Sequence, residues 1–114
     1  MERITQSKFI ADLHPLNKAD FLAVGLFEAA SEGHTAIVEY LCTAGADLNR
    51  PHAKSGDTAL TIAGFCGKDD VVKALIRAGA DVTLTNNQGI NALMIASGRC
   101  SASTVSTLIE AGQS

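Results

Sequence analysis

The sequence predicts an all-α solenoid: three stacked helix-turn-helix units joined by β-turn fingers and headed by an N-terminal capping helix. Three observations carry this. Ala44-Gly-Ala-Asp-Leu-Asn49 returns as Ala78-Gly-Ala-Asp-Val-Thr83, a step of 34 residues, and Glu110-Ala-Gly112 follows 33 later. Four further columns keep the same steps: Leu26, Leu60 and Leu93; Ala29, Ala63 and Ala96; Val38, Val72 and Val105; Leu41, Leu75 and Leu108. A fixed period of this size marks a repeat architecture whose units bury their faces only by stacking. Finally, 46% of the residues are hydrophobic while the chain holds four Phe, one Tyr and no Trp. The core is therefore aliphatic, and small side chains let helices approach closely.

The elements follow in order. Phe9, Ile10 and Leu13 share one face of a helix over residues 2–13 that Pro15 stops, and this helix is expected to shield the first repeat. Residues 1–20 are thus a capping helix and linker, 21–112 the repeat domain (about 21–52, 53–85 and 86–112), and 113–114 its C-terminal end. In the first repeat, Phe21 to Ser31 keeps the Leu26 and Ala29 columns. In the second, Thr58 is placed to cap a helix running to about Cys66, with Leu60 and Ala63 on one face. Gly67 breaks that helix. Asp69 or Asp70 then caps a second helix through Arg77, in which Val71, Val72, Leu75 and Ile76 recur at helical spacing and Arg77 suits the negative end of the dipole. Gly79 supplies a left-handed stop. The stretch Ala80 to Gly89 is polar and rich in Asn, as a β-turn finger requires. In the third repeat, Thr104 and Thr107 stand where the others have Ile37 and Tyr40, or Val71 and Ala74, which predicts a polar C-terminal cap. The chain stops where a further finger would begin, as a natural terminus or a piece of a longer array both would.

With Glu32-Gly-His-Thr-Ala-Ile-Val-Glu-Tyr-Leu-Cys-Thr-Ala-Gly-Ala-Asp-Leu-Asn49 and this period, the chain closely resembles the ankyrin repeat family. The resemblance extends to Gly56-Asp-Thr-Ala-Leu-Thr-Ile-Ala63 and, less closely, Gly89-Ile-Asn-Ala-Leu-Met-Ile-Ala96. It covers residues 21 to 112. Departures from the family pattern are Val24-Gly25 in place of Thr-Pro, Asn91 in place of the capping Thr, Met94 in place of the His, and Cys100-Ser101 in place of the Gly-His turn. The third repeat is therefore expected to fray first.

Composition removes several functions. Nine Lys and Arg against twelve Asp and Glu leave a net charge of −3 with no basic block, which argues against nucleic acid as a partner. The longest apolar run, Phe21 to Phe27, is far below the ~20 residues of a membrane span, and the N-terminus lacks a signal-peptide pattern. Three cysteines, at 42, 66 and 100, form no Cys-x-x-Cys pair. Reduced thiols in an intracellular compartment, cytoplasmic or nuclear, are the simplest reading.

Catalysis finds no convergent groups in this sequence, and no cofactor or metal is implied. His34 is assigned to a turn, its ring hydrogen-bonding loop backbone, and His14 and His52 to loops. Cys42 reads as a small buried hydrophobe. Cys66 ends a first helix, facing solvent or a partner. Gly64-Phe-Cys-Gly-Lys68 has the outline of a phosphate loop but too few residues between its glycines, and Asp69 follows the Lys. Asp69 and Asp70 suit a helix start better than a metal.

What remains is a surface. The resemblance implies that finger tips and the exposed side of the first helices line a concave face that grips partner proteins. By register those places hold Arg50 and His52, with Ser31, Glu32 and Pro51, in the first repeat. In the second they hold Lys54, Asp57, Phe65 and Cys66, with Ser55. In the third they hold Asn87, Gln88, Ile90 and Arg99, with Gly98. Ile90 and Phe65 stand out, because an exposed apolar side chain gains from a partner that covers it; packing on neighbouring fingers is the alternative. The resemblance further implies asparagine hydroxylation at Asn49, eight positions after Leu41, against a simple finger hydrogen bond. Thr83 in the later finger leaves one such site. The expected function is a protein–protein interaction scaffold, not an enzyme. The alternatives are a regulatory segment of a larger enzyme, channel or effector, a weakly self-associating structural module, and an enzyme using Cys66 or His52.

Overall fold

A computed structural model describes residues 18–112. The helix expected over residues 2–13 and the loop residue His14 lie outside the described residues. The others form six helices: α1 (Lys18–Glu32), α2 (Thr35–Thr43), α3 (Ala59–Phe65), α4 (Asp69–Arg77), α5 (Ala92–Arg99) and α6 (Ala102–Gly112). Each consecutive pair is one repeat. α1, α3 and α5 contact one another in series and so do α2, α4 and α6, giving two layers of helices.

The period-33 columns become the seam between these layers. Leu26, Leu60, Val38, Val72 and Leu75 are almost fully buried, joined by Ala29, Ala63 and Ala96. Leu93 and Val105 are only half-buried, because no described repeat follows them. At the opposite end Phe21, Val24, Ile37 and Tyr40 are exposed.

Local chemistry sets the helix boundaries. Thr58 caps α3 reciprocally: its Oγ1 accepts from the Thr61 amide, and its own amide donates to Thr61 Oγ1 at 2.8 Å. Asn91 caps α5 on one side only, accepting from the Met94 amide at 3.0 Å with no return bond from the Met94 side chain, so its departure from Thr keeps the acceptor half of the cap. α1 starts at Lys18 and runs straight through Val24-Gly25. Gly67 and Gly79 turn the chain at φ 68° and 100°. The second finger is a hairpin in which Thr85 and Asn91 form a single bridge. Asn86 Oδ1 accepts from the amides of Gln88 and Ile90 at its tip.

Three sequence expectations are corrected. Neither Asp69 nor Asp70 caps α4: the capping position is Lys68, with no side-chain bond, and both acids sit in the first turn. Asp69 instead reaches the third repeat, where Oδ1 accepts from Thr104 Oγ1 at 2.7 Å and from the Ser101 amide at 3.0 Å. Thr104 is accordingly fully buried against the second repeat rather than part of a solvent-facing cap. Its hydroxyl is tolerated because a carboxylate pairs with it. Finally, the His34 ring meets Glu32 Oε1 at 3.0 Å, an exposed carboxylate rather than loop backbone.

Candidate partner-binding face

The residues assigned to the partner face come from the two fingers and the ends of α3 and α5. The first finger folds back on α1: the His52 ring lies 4.7 Å from the Phe27 ring, and Arg50 pairs with Asp20. Its tip is closed by its own backbone, with the His52 amide donating to Asp57 O and the Gly56 amide to His52 O. Gly56 at φ 76° is required there, since a Cβ would stand 2.9 Å from the Asn87 backbone nitrogen.

The second finger grips the first. Asn87 donates its backbone amide to Ser55 O at 2.9 Å and its side-chain amide to Lys54 O at 2.8 Å. Asn86 donates to the Asp57 carboxylate at 3.1 Å, and both residues are buried. Asp57 therefore braces the fingers and is not presented to a partner. Asn87 is exposed, but its side-chain donor is engaged in the same brace. At the finger base, Asn49 Oδ1 accepts from the Asp81 amide at 2.9 Å, which is the structural role weighed for it. Thr83 holds the Asp81 carboxyl below the usual carboxylate range by donating from its hydroxyl and its amide.

The helix ends form a second cluster. Phe65 is half-buried beneath Arg99, whose guanidinium carbon lies 5.8 Å from the ring centroid and whose Nη1 donates to Phe65 O at 3.1 Å. Cys66 beside them is exposed, whereas Cys42 and Cys100 are half-buried. Burial raises the Cys42 thiol. Burial, with the Asp69 carboxylate close by, pushes Cys100 up to about 11. Gln88, Lys54, His52 and Arg50 are exposed, and Ile90 is half-buried with its amide on Asn86. Among the described residues, no group of three or more His, Cys, Asp or Glu converges as a metal site would need. None of their helices is long and apolar enough to cross a membrane.

Sequence reasoning overlooked a depression between α1 and the first finger. It is lined by Ala23, Val24 and Phe27 on the helix and by Pro51, His52 and Ala53 on the finger, with Arg50 at its side and about 340 Å³ of space. The apolar run Phe21 to Phe27 was the available signal, but its exposed side shows only when the finger is placed.

Two layers of short paired helices with braced fingers define a repeat scaffold. The family description "Ankyrin repeats (3 copies)" matches residues 26–114, and the chain belongs to the ankyrin repeat family, a module that generally mediates protein–protein interaction. It is 38% identical over 88 residues to the Ankyrin repeat and KH domain-containing protein mask-1 of Caenorhabditis elegans, covering 76% of this chain and 3% of that protein. It is 38% identical over 79 residues to the E3 ubiquitin-protein ligase hecd-1 of the same organism, covering 68% and 3%. It is also 34% identical over 91 residues to the Ankyrin repeat domain-containing protein SAT10 of Stachybotrys chartarum, covering 80% and 5%. The chain thus spans less than a tenth of the length of these relatives.

Proposed function

We propose that this chain is a non-enzymatic interaction module that binds a partner protein on the concave face formed by the finger tips and the ends of the first helices. The observation that supports this reading is the bracing of that face across repeats. The bonds from Asn87 to Lys54 and Ser55, from Asn86 to Asp57 and from Arg99 to Phe65 O hold exposed residues in fixed relation before any partner arrives. A preorganised surface loses less entropy on binding. Phe65 and Ile90 are the apolar anchors, set among Arg50, His52, Lys54, Cys66, Gln88 and Arg99. Three unpaired thiols fit an intracellular site of action.

The test is capture of partner proteins from cell extract by the wild type and by the Phe65→Ser/Ile90→Ser double variant. Loss of capture with an unchanged circular dichroism spectrum supports the reading; undiminished capture with the fold intact refutes these anchors. A second reading, a regulatory ankyrin segment of a larger protein, is favoured by the small share of the relatives that the chain spans, one of which is named as a ubiquitin ligase. Sequencing the full transcript decides it. The exposed Phe21, Val24, Ile37 and Tyr40 at one end of the stack favour a third, self-association, which light scattering across a concentration series measures.

A further inference from the structure

The depression between α1 and the first finger carries the most specific recognition chemistry among the described residues. Its floor is apolar: Ala23, Val24 and Phe27 face Pro51 and Ala53, and the stacked His52 ring closes one side. The tip above it is basic. Between positions 50 and 54 stand Arg50, His52 and Lys54 with no acid, in a chain whose net charge is −3, whereas the second finger tip from Thr83 to Gly89 carries no charge at all. Arg50 donates one nitrogen to Asp20, which leaves its other guanidinium donors. Lys54 is exposed and follows Ala53 of the groove lining, and its backbone carbonyl is held by Asn87, which ties this end of the finger to the second finger.

Resting on the concave-face reading, we propose that this groove takes the aromatic or large aliphatic side chain of an acidic segment in the partner protein. The anchor fills the space beside Phe27 and His52, and carboxylates flanking it in the partner meet Arg50 and Lys54. An apolar anchor gives the affinity, while the charges steer the approach and reject basic segments.

The experiment is a titration of the nitrogen-15-labelled full chain with the blocked peptide Ser-Asp-Glu-Phe-Asp-Glu-Ser, followed by amide resonances. Saturable shifts at Ala23, Phe27 and Ala53 are expected, weakened about tenfold or more by Ala53→Glu and by Lys54→Glu, both at exposed positions. They are also expected to vanish when the peptide's Phe becomes Ser or its acids become Lys. Equal binding of the Lys-flanked peptide, indifference to Ala53→Glu, or no binding at all overturns the proposal. Shifts gathered at Phe65, Ile90 and Arg99 overturn the groove but keep the concave-face reading; shifts gathered at Glu39 and Lys73 on the second helices overturn both. Groove resonances that move with protein concentration alone assign the groove to a second copy. If they move on Phe9→Ser while ignoring the peptide, the groove belongs to the chain's own N-terminal residues. Either result also overturns the proposal.

Discussion

At the scale of the residue, Asp69 carries the least anticipated interaction. The Thr104 hydroxyl and then the Ser101 amide hold its carboxyl below the usual range. A carboxyl depressed in the folded state adds stability above its unfolded value near pH 4 and loses it as pH falls through the folded value. Asp69→Asn is therefore expected to lower the unfolding free energy measured by urea titration at pH 7 by about 1–2 kcal/mol, allowing for solvent screening. The gap from wild type should shrink at pH 3, and an equal gap at both pH values contradicts the assignment. The same tie anchors the third repeat, a contribution that its expected early fraying did not include. Thiol chemistry gives a second prediction. Cys66 is exposed, while Cys100 is half-buried with its ionisation pushed up to about 11; a thiol reagent at pH 7.5 should label Cys66 first, and mass spectrometry identifies the site. The sequence showed Cys66 at a helix end but could not show that Asp69, 31 positions before Cys100, lies beside it.

At the scale of the element, caps and turns were legible because they depend on neighbours in sequence. Thr58 caps as its position predicts, and Asn91, read from sequence as a departure from the capping Thr, caps as well; Thr58→Ala is expected to lower stability by about 1 kcal/mol in thermal melts. What sequence could not show is which turns also touch another repeat. Gly45 and Gly56 both have positive φ, yet a Cβ on Gly45 meets nothing within 4 Å, whereas one on Gly56 collides with Asn87. Gly45→Ala is thus expected to cost about 1 kcal/mol, the conformational term alone. Gly56→Ala should cost more and also loosen the brace between the fingers, read as faster amide exchange at Asn87. Equal effects of the two substitutions would show that the close approach is unimportant. The stop at the end of α1 was readable from Gly33.

At the scale of the whole molecule, the core is one continuous elongated cluster running from Leu26 through Leu60 and Leu75 to Leu108, built where adjoining repeats meet. Leu60 lies in the middle repeat and is nearly inaccessible to solvent. Leu60→Ala should cost about 2–5 kcal/mol and shift the entire unfolding transition. Loss of structure confined to one repeat in hydrogen exchange would argue against that coupling. The sequence by itself determined the repeat, its period, its helix pairs and its left-handed turns. Those features arise from residues within one unit, and the period writes them out again in the next. Only the tertiary structure decided which polar residues brace and which face outward: it buried Asp57 and Thr104, set Asp69 against the third repeat and opened the groove beside Phe27. Each of these depends on pairs about 25 to 35 positions apart. A repeat pattern shows that neighbouring units touch, but the identity of the groups that meet is set by the rotation and rise of one unit on the next.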